Sequence, residues 1–390
     1  MKLTFDRQTE NRPGLHALVV GVSEYPNLPG HGELSTDRSF GMHPLTASAR
    51  SAFKLFQFLK DNADSFSVPL ATCQLLVSPT VSEREREPQL AALITEEKAV
   101  SVELDAFLEA ASAWRDRVAS NSKNAAMFYF SGHGIRRTAD DAVLLLNNFG
   151  QQHGGALKNT VDVASIVNGM SPTSTRPSMA KTQLYFVDAC RNSPRQIKNF
   201  NQMQTTDVFD PELADDDNRN KPIYWATVDG QKAYAVKFDQ TVFSKALIKS
   251  FENAADLDED EGCWSVTVQR LSAGLGYYLQ KILKSKRGKQ SVRLGGESFE
   301  APVRILASSP KTDVVLELKP AEFSKHAVVS VSPAVGGKPQ QLPSPVTPHP
   351  FEFEVDAGTH KVGVDLSSNG GMQYKECTAI PLKLNRWQCP

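Results

Sequence analysis

The sequence predicts an α/β protein in which a mainly parallel central sheet lies between two layers of helices, followed by a small all-β sandwich. Two observations predict the first part: short strands that are apolar on both faces, and helical patterns that alternate with them along the chain. After residue 308 alternating apolar residues and frequent prolines replace the helical patterns, which predicts the second part. Because 390 residues exceed what one core usually organises, we expect domains at residues 1–308 and 311–390.

The predicted elements of the first domain follow one another in a regular order. Residues 15–22 (LHALVVGV) form an apolar run that ends in a turn, which is typical of a strand buried on both faces. Residues 45–60 carry apolar side chains at helical spacing, so a helix is expected to pack on the sheet. Similar patterns predict further strands at residues 71–77, 125–130, 183–187, 223–228 and 301–307, and further helices at 101–118, 161–170, 241–253 and 266–283.

Two regions do not follow this alternation. Residues 191–222 are rich in Asn, Asp and Pro and lack apolar periodicity, so we expect a long exposed loop, which at this length is usually functional or disordered. In the second domain, the segments VVLELK, AVVSVS, FEFEV and HKVGVDL alternate apolar and polar residues as the strands of a β-sandwich do. We expect this domain to serve in binding, positioning or oligomerisation.

Composition and charge exclude several classes of function. The chain has 43 Lys and Arg against 44 Asp and Glu, and a net charge of -1 favours neither nucleic acid nor an anionic membrane as a partner. It has no apolar run of about 18 residues and no signal-peptide core, so we expect a cytoplasmic protein. Its 5 cysteines form no CxxC pair and no Cys/His cluster. No disulfide framework, structural metal or cofactor is therefore expected.

His133 and Cys190 both directly follow predicted strands. The carboxyl ends of parallel strands share one edge of a sheet, where ligands bind and catalysis occurs. Cysteine peptidases need a reactive thiol, an imidazole that moves the proton, and backbone N–H donors for the oxyanion. Gly132 and Gly134 flank His133 and leave room for a substrate to approach the backbone. These residues together point to peptide hydrolysis.

Three segments, HALVVGVSEY, MFYFSGHG and QLYFVDACRNSP, resemble the core strands of the caspase, metacaspase and bacterial caspase-like superfamily. The resemblance extends from about residue 12 to about residue 308 and implies a caspase-like α/β/α sandwich. It implies that Cys190 is the nucleophile and that His133 is the general base and acid. It also implies that the N–H groups of Gly134 and Cys190 form the oxyanion hole, without a metal.

The same resemblance bears on the substrate. Caspases have Gln two residues before the nucleophile and select Asp, whereas metacaspases have Asp there and select Arg or Lys. This chain has Asp188, which would pair with a basic side chain unless it only caps local backbone N–H groups. The Asn-Asp-Ala element of the metacaspase first helix is replaced by residues 50–52 (RSA), so one pocket carboxylate is missing. Asp229 is a candidate to compensate, and Trp225 is a candidate for the S2 pocket.

Regulation and partners are the least determined features. We expect protein or peptide substrates and, by analogy with bacterial relatives, a small-nucleotide or protein activator in stress, cell-death or antiphage defence signalling. His31, Arg38 and His43 in residues 26–44 are candidate signal-binding residues, unless this segment is only a surface insertion. Self-cleavage within the long loop is a hypothesis based on its position and on basic sites at Arg195, Lys198, Arg219 and Lys221.

Two alternatives remain open. The chain could be a catalytically silent caspase-fold scaffold or signal-binding protein, although the intact pair of His133 and Cys190 favours an enzyme.

Metacaspases often bind calcium after the catalytic His, but residues 135–141 (IRRTADD) do not support such a site, and residues 256–262 are interpreted as a solvated acidic turn.

Overall fold

The structure is a computed structural model of the chain. It describes residues 2–10, 12–34, 39–136, 142–151, 155, 157–189, 205–209, 217–227, 239–284, 290–334, 336, 338–343, 346, 348–366 and 372–389. The chain divides into two compact units, one formed by Met1–Ile248 and Leu275–Val303 and the other by Lys249–Gly274 and Arg304–Pro390. The domain boundary near residue 308 stays a prediction.

Helices and strands are interspersed through the first 306 residues, and the described part of the chain after them contains strands and a short 3-10 helix, Ala321–Lys325. The helices are α1 (Ser48–Asp61), α2 (Val81–Arg86), α3 (Pro88–Thr95), α4 (Leu104–Val118), α5 (Val163–Gly169), α6 (Val242–Asn253) and α7 (Val268–Lys284). The strands up to that point are β1 (Phe5–Asp6), β2 (Leu15–Val22), β3 (Leu70–Ser78), β4 (Ala99–Val100), β5 (Ala125–Gly132), β6 (Gly134–Arg136), β7 (Ala142–Leu145), β8 (Thr160–Asp162), β9 (Thr182–Ala189), β10 (Ile223–Trp225), β11 (Asp256–Asp258), β12 (Cys263–Thr267), β13 (Arg293–Gly295) and β14 (Pro302–Leu306). The later strands are β15 (Lys311–Leu318), β16 (Val328–Pro333), β17 (Gln340–Gln341), β18 (Phe351–Asp356), β19 (Gly358–Asp365), β20 (Gln373–Ala379) and β21 (Asn385–Cys389).

A mainly parallel sheet forms the centre of the first unit. Its strand order is β1-β3-β2-β5-β9-β10-β13, with β4 beside β3. The pairs from β3 to β10 are parallel, and only β1 and β13 run antiparallel at the edges. The predicted α/β fold class is therefore confirmed.

The two faces of the sheet pack against different helices, because side chains alternate along each strand. On one face, Leu18 and Phe128 share a buried core with Trp114 of α4. On the other face, Gly21 lies against α1, where a Cβ at this position would come within 2.6 Å of Ala52 and of the carbonyl oxygen of Ser48. Only glycine allows α1 to approach β2 this closely.

The structure contains short elements that the sequence patterns do not predict. A three-stranded antiparallel sheet, β6-β7-β8, follows His133, and its strands of three or four residues are too short to show a period. The helix predicted from residue 161 begins at Val163, because the Asp162 side chain accepts hydrogen bonds from the N–H groups of Ala164 and Ser165 at 2.8 and 3.3 Å.

The second unit contains the predicted C-terminal β-structure. One sheet has the order β18-β15-β21 and the other β17-β16-β19-β20. Apolar side chains from both sheets form one buried cluster, which includes Leu316, Val329, Val362 and Trp387. This arrangement is a β-sandwich, in which two sheets bury their inner faces against each other.

Candidate active site

The carboxyl ends of β5 and β9 meet at one edge of the central sheet. Gly132 pairs with Ala189 as the last residue pair of the two strands. The next residue along the chain is His133 after β5 and Cys190 after β9. The described residues therefore support the sequence-based expectation that these two chain segments approach each other. Among the predicted site residues, Cys190, Asp229 and Arg38 lie outside the described residues.

The backbone of His133 is held by Tyr25, which follows β2. The His133 N–H donates a hydrogen bond to the Tyr25 hydroxyl at 2.8 Å, and this hydroxyl donates to the carbonyl of Leu145 at 3.2 Å. The N–H of Leu145 in turn donates to the carbonyl of His133 at 3.1 Å. Burial raises the pKa of Tyr25, so its hydroxyl stays protonated and can donate. Hydrogen bonds to both its N–H and its carbonyl thus hold the backbone of His133 in place.

The imidazole of His133 is oriented by a backbone carbonyl. Its Nε2 lies 2.7 Å from the carbonyl oxygen of His43. Because a carbonyl oxygen only accepts, Nε2 carries the proton, and Nδ1 is left as the basic nitrogen. Burial lowers the pKa of His133 to about 4, and the hydrogen bond to His43 opposes this shift only in part. At neutral pH the ring is therefore uncharged and able to accept a proton at Nδ1.

The two glycines beside His133 have different structural roles. A Cβ on Gly132 would lie 2.8 Å from the Phe130 ring and 2.9 Å from the Tyr25 hydroxyl, so glycine is required there for the Tyr25 contact. Gly134 begins β6 and pairs with Leu144 of β7. The residue after His133 is therefore part of a sheet and is held in place.

Asp188, the penultimate residue of β9, lies in a buried cluster of hydroxyl groups. It is 2% exposed, and its Oδ2 accepts hydrogen bonds from Tyr129 at 2.9 Å, from Ser131 at 3.2 Å and from Thr241. Ser131 pairs with Asp188 across β5 and β9, and Tyr129 lies two residues earlier on the same face. All the hydrogen bonds that the structure gives to this carboxylate come from side-chain hydroxyls.

The other carboxylate oxygen of Asp188 has no such partner. Oδ1 is buried and makes no hydrogen bond within the described part of the chain. Burial raises the pKa of Asp188 to about 6, although the hydroxyl hydrogen bonds oppose this shift. A buried, unpaired carboxylate oxygen is costly, and a cationic group that reached it would relieve that cost.

Thr241 connects Asp188 to two helices. Its hydroxyl oxygen also accepts a hydrogen bond from the N–H of Ser244 at 3.1 Å and thereby caps the first turn of α6. Its own N–H donates to Ser51 Oγ of α1 at 2.8 Å. Ser51 belongs to residues 50–52, which the resemblance aligns with the Asn-Asp-Ala element of metacaspases, and its side chain holds Thr241 in place.

The remaining predicted residues lie in different surroundings. Trp225 ends β10, pairs with Val187 of β9 and is 1% exposed. His31 is exposed, and its ring stacks on that of His43, with the centroids 5.4 Å apart. Within the described ranges, no three His, Cys, Asp or Glu side chains are placed to hold a metal ion. In the acidic segment after α6, Asp258 Oδ1 accepts the N–H groups of Asp260 and Glu261 and closes a hairpin turn.

Sequence reasoning missed several residues of this site, namely Tyr25, Ser51, Tyr129, Ser131, Thr241 and the carbonyl group of His43. Two of them left a signal, because Tyr129 and Ser131 share one face of a strand that ends at the site. Thr241 directly precedes a predicted helix, as capping residues do. The contact between His43 and His133 has no sequence signal, since it joins a backbone carbonyl to a side chain 90 residues away.

Comparison with known proteins identifies the family of this chain. A sequence model of the caspase domain matches residues 15–267. A protein of Sinorhizobium fredii (strain NBRC 101917 / NGR234), named uncharacterized protein y4kE, is 25% identical over 291 residues, which covers 68% of this chain and 75% of that protein. None of the helices in the described ranges is long and apolar enough to cross a membrane. Because the caspase-domain match covers more than half of the chain and the parallel sheet accords with it, the chain belongs to the caspase-domain family of cysteine peptidases.

Proposed function

We propose that the protein is a cysteine endopeptidase that cleaves peptide bonds after Arg or Lys, with Cys190 as nucleophile and His133 as general base and acid. One observation carries the proposal. His133 directly follows the last residue pair of β5 and β9, and its ring is held in the tautomer that leaves Nδ1 basic. Cys190 directly follows the same pair on the other strand.

The chemistry follows from this arrangement. The Cys190 sulfur attacks the substrate carbonyl carbon, and its proton moves to His133 Nδ1 as the carbon–sulfur bond forms. The tetrahedral oxyanion receives hydrogen bonds from the N–H groups of Gly134 and Cys190. His133 then donates the proton to the leaving amine as the carbon–nitrogen bond breaks. Water, deprotonated by His133, hydrolyses the thioester and regenerates the thiol.

Asp188 supports a preference for a basic P1 side chain. Its Oδ2 is occupied by three hydroxyl donors, whereas the buried Oδ1 has no partner in the described residues. An arginine or lysine side chain would supply the missing donor and the opposite charge. In this proposal Asp229 adds a second carboxylate to the pocket and Trp225 borders S2, while family resemblance alone supports a regulated role in bacterial stress, cell death or antiphage defence.

Active-site labelling tests the proposal. An acyloxymethyl ketone peptide that ends in Arg or Lys is expected to alkylate Cys190 of the wild-type protein, whereas the same peptide ending in Asp is not. His133→Ala should abolish labelling while the protein remains folded, because the thiol then loses its base. Mass spectrometry of the intact protein and of its peptides locates the label, and Cys263→Ala is the matched cysteine control.

The outcomes separate the two function classes. If neither peptide labels Cys190 in the folded protein, the proposed peptidase activity is wrong and a catalytically silent scaffold is favoured. If the peptide ending in Asp labels Cys190 faster than those ending in Arg or Lys, the chain is a peptidase but the assignment of Asp188 to a basic pocket fails.

A further inference from the structure

The segment between β2 and α1 is not used by the proposed chemistry except through one carbonyl group. The structure describes residues 23–34 and 39–47 of it. His43 lies near its end, and its carbonyl accepts the hydrogen bond from His133 Nε2. What fixes the peptide of His43 therefore also fixes the ring of His133.

The imidazole of His43 binds a turn that lies earlier in this segment. Its Nδ1 lies 3.0 Å from the carbonyl oxygen of Pro29 and 3.1 Å from that of Gly30. Because both partners are carbonyl oxygens, Nδ1 carries a proton that the two acceptors share. His43 thus bonds to an earlier turn through its side chain and to His133 through its main chain.

The turn that receives His43 is itself held. Glu33 Oε2 accepts the N–H of Gly30 at 2.8 Å, and the N–H of Glu33 donates to the carbonyl of Gly30 at 3.1 Å. On the other side of His43, Pro44 restricts the backbone of the residue before it to extended conformations. The N–H of Leu45 then donates to the carbonyl of Ser23 at 2.7 Å, which joins the segment to the end of β2. The His43 carbonyl is therefore restrained from several directions.

We propose that the His43 imidazole is a positioning residue for His133: by binding the carbonyls of Pro29 and Gly30, it keeps its own carbonyl on Nε2 of His133. His133 is thereby held as the Nε2–H tautomer, in which Nδ1 carries no proton. The catalytic consequence rests on the proposed function, whereas the tautomer does not. The side chains with ionisable groups in this contact chain are Tyr25, His31, Glu33 and His43.

The direct test is nuclear magnetic resonance of the His133 ring in the Cys190→Ala protein, with the signals assigned through His133→Asn. The parent protein is expected to show the Nε2–H tautomer and a titration midpoint near pH 4. In His43→Ala the ring should lose its preference for this tautomer and also show signals of the Nδ1–H tautomer. His43→Asn, whose amide N–H replaces Nδ1–H, should resemble the parent.

Two further variants separate positioning from folding. His43→Gln has the same amide on a longer side chain that misplaces the N–H, so it should lose the Nε2–H tautomer as His43→Ala does. It supplies the same test if His43→Ala folds poorly. His326→Ala removes an exposed histidine of the other unit and should leave the His133 signals unchanged. The proposal is overturned if His43→Ala and His43→Gln keep the parent tautomer, or if His43→Asn loses it.

Activity measurements on the intact enzyme keep this inference distinct from the proposed function. With a peptide ending in Arg or Lys, His43→Ala and His43→Gln are expected to lower kcat about 100-fold with little change in KM, since the base is misplaced but the pocket is not. His43→Asn should retain most of kcat. If the wild-type protein cleaves no such peptide but shows the expected tautomer, the proposed function fails and the positioning role stands.

Discussion

At the scale of single residues, burial determines the charge states of the candidate site. Asp188 is buried and His133 is half-buried, and in each case burial is the largest cause of the pKa shift. The pKa of the imidazole is lowered to about 4, and that of the carboxyl group is raised to about 6. Burial disfavours the charged form of each group, so an acid and a base move in opposite directions. Above about pH 6 the site therefore combines a neutral imidazole with an ionised carboxylate.

This difference predicts which group controls activity in mild acid. The value of kcat/KM for a peptide ending in Arg or Lys is expected to fall below about pH 6, because protonation of Asp188 removes the charge that attracts the basic side chain. His133 remains neutral through that range. A pH series of kcat/KM at constant ionic strength measures the midpoint. A midpoint below about pH 5 in the wild type would mean that Asp188 does not control binding of the basic residue.

The same shift predicts that Asp188 reduces the stability of the fold at neutral pH. Its pKa of about 6 in the folded protein exceeds the ordinary value of 3.8, so the folded state binds this proton more tightly than the unfolded state does. The stabilisation that the protonated Asp188 carboxyl group contributes is complete below pH 3.8 and is lost as the pH rises through about 6. Asp188→Asn should therefore raise the free energy of unfolding at neutral pH by about 1–3 kcal/mol.

Urea denaturation of Asp188→Asn and of the wild type at two pH values tests this expectation. The gain should be largest near pH 7.5 and should shrink near pH 4.5, where the wild-type carboxyl group is largely protonated. Asp313→Asn provides a control in the other unit, where Asp313 is half-buried on β15. A gain of equal size at both pH values would show that packing, and not charge, distinguishes Asn from Asp at position 188.

At the scale of secondary-structure elements, helix boundaries depend on partners that are distant in sequence. The helix predicted from residue 45 begins at Ser48, and its first N–H groups are capped from other elements. Ser23 Oγ accepts the N–H of Ala49 at 2.9 Å, and Glu83 Oε1 accepts the N–H of Arg50 at 3.1 Å. Local capping signals therefore do not mark the start of α1, because the acceptors come from the ends of β2 and from α2.

Two glycines of α7 are expected to respond in opposite ways to the same substitution. A Cβ on Gly274 would lie 2.5 Å from Ala254 Cβ and 2.9 Å from Ser250 Oγ, whereas one on Gly276 would contact nothing within 4 Å in the described structure. Gly274→Ala should destabilise the protein by about 1–3 kcal/mol through overpacking. Gly276→Ala should stabilise it by about 0.5–1 kcal/mol, because alanine favours a helix interior. Thermal unfolding compares the two variants, and a shift of Tm in the same direction for both would contradict this account.

At the scale of the whole molecule, the end of the long loop is anchored in the first unit. Arg219 is 1% exposed and donates hydrogen bonds to Asp217, to the carbonyl of Val167 and to the side chains of Ser171 and Gln183. Lys221 forms an ion pair with Asp217, whose pKa is lowered chiefly by its hydrogen bond to Arg219. Such buried and paired side chains are not available to a peptidase pocket.

Of the four candidate sites, self-cleavage by Cys190 is therefore expected after Arg195 or Lys198, which lie outside the described residues, and not after Arg219 or Lys221. Intact mass after incubation should show two fragments from the wild type and the full-length chain from Cys190→Ala. Replacement of Arg195 and Lys198 by Ala should stop the cleavage. Identical full-length masses for wild type and Cys190→Ala would overturn the self-cleavage hypothesis, and a fragment that begins at residue 220 or 222 would overturn the protection of Arg219 and Lys221.

The sequence by itself determined the order of buried strands and helices in this protein and the placement of His133 after β5. The long strands β2, β3, β5 and β9 of the central sheet each have a local apolar signal, and the carboxyl ends of parallel strands necessarily meet at one edge. Only the tertiary structure decided what surrounds the site. The His43 carbonyl is 90 residues from His133, and Thr241 is 53 residues from Asp188. Hydrogen bonds across such distances have no sequence period, because they depend on how the chain packs and on which polar groups burial leaves without water.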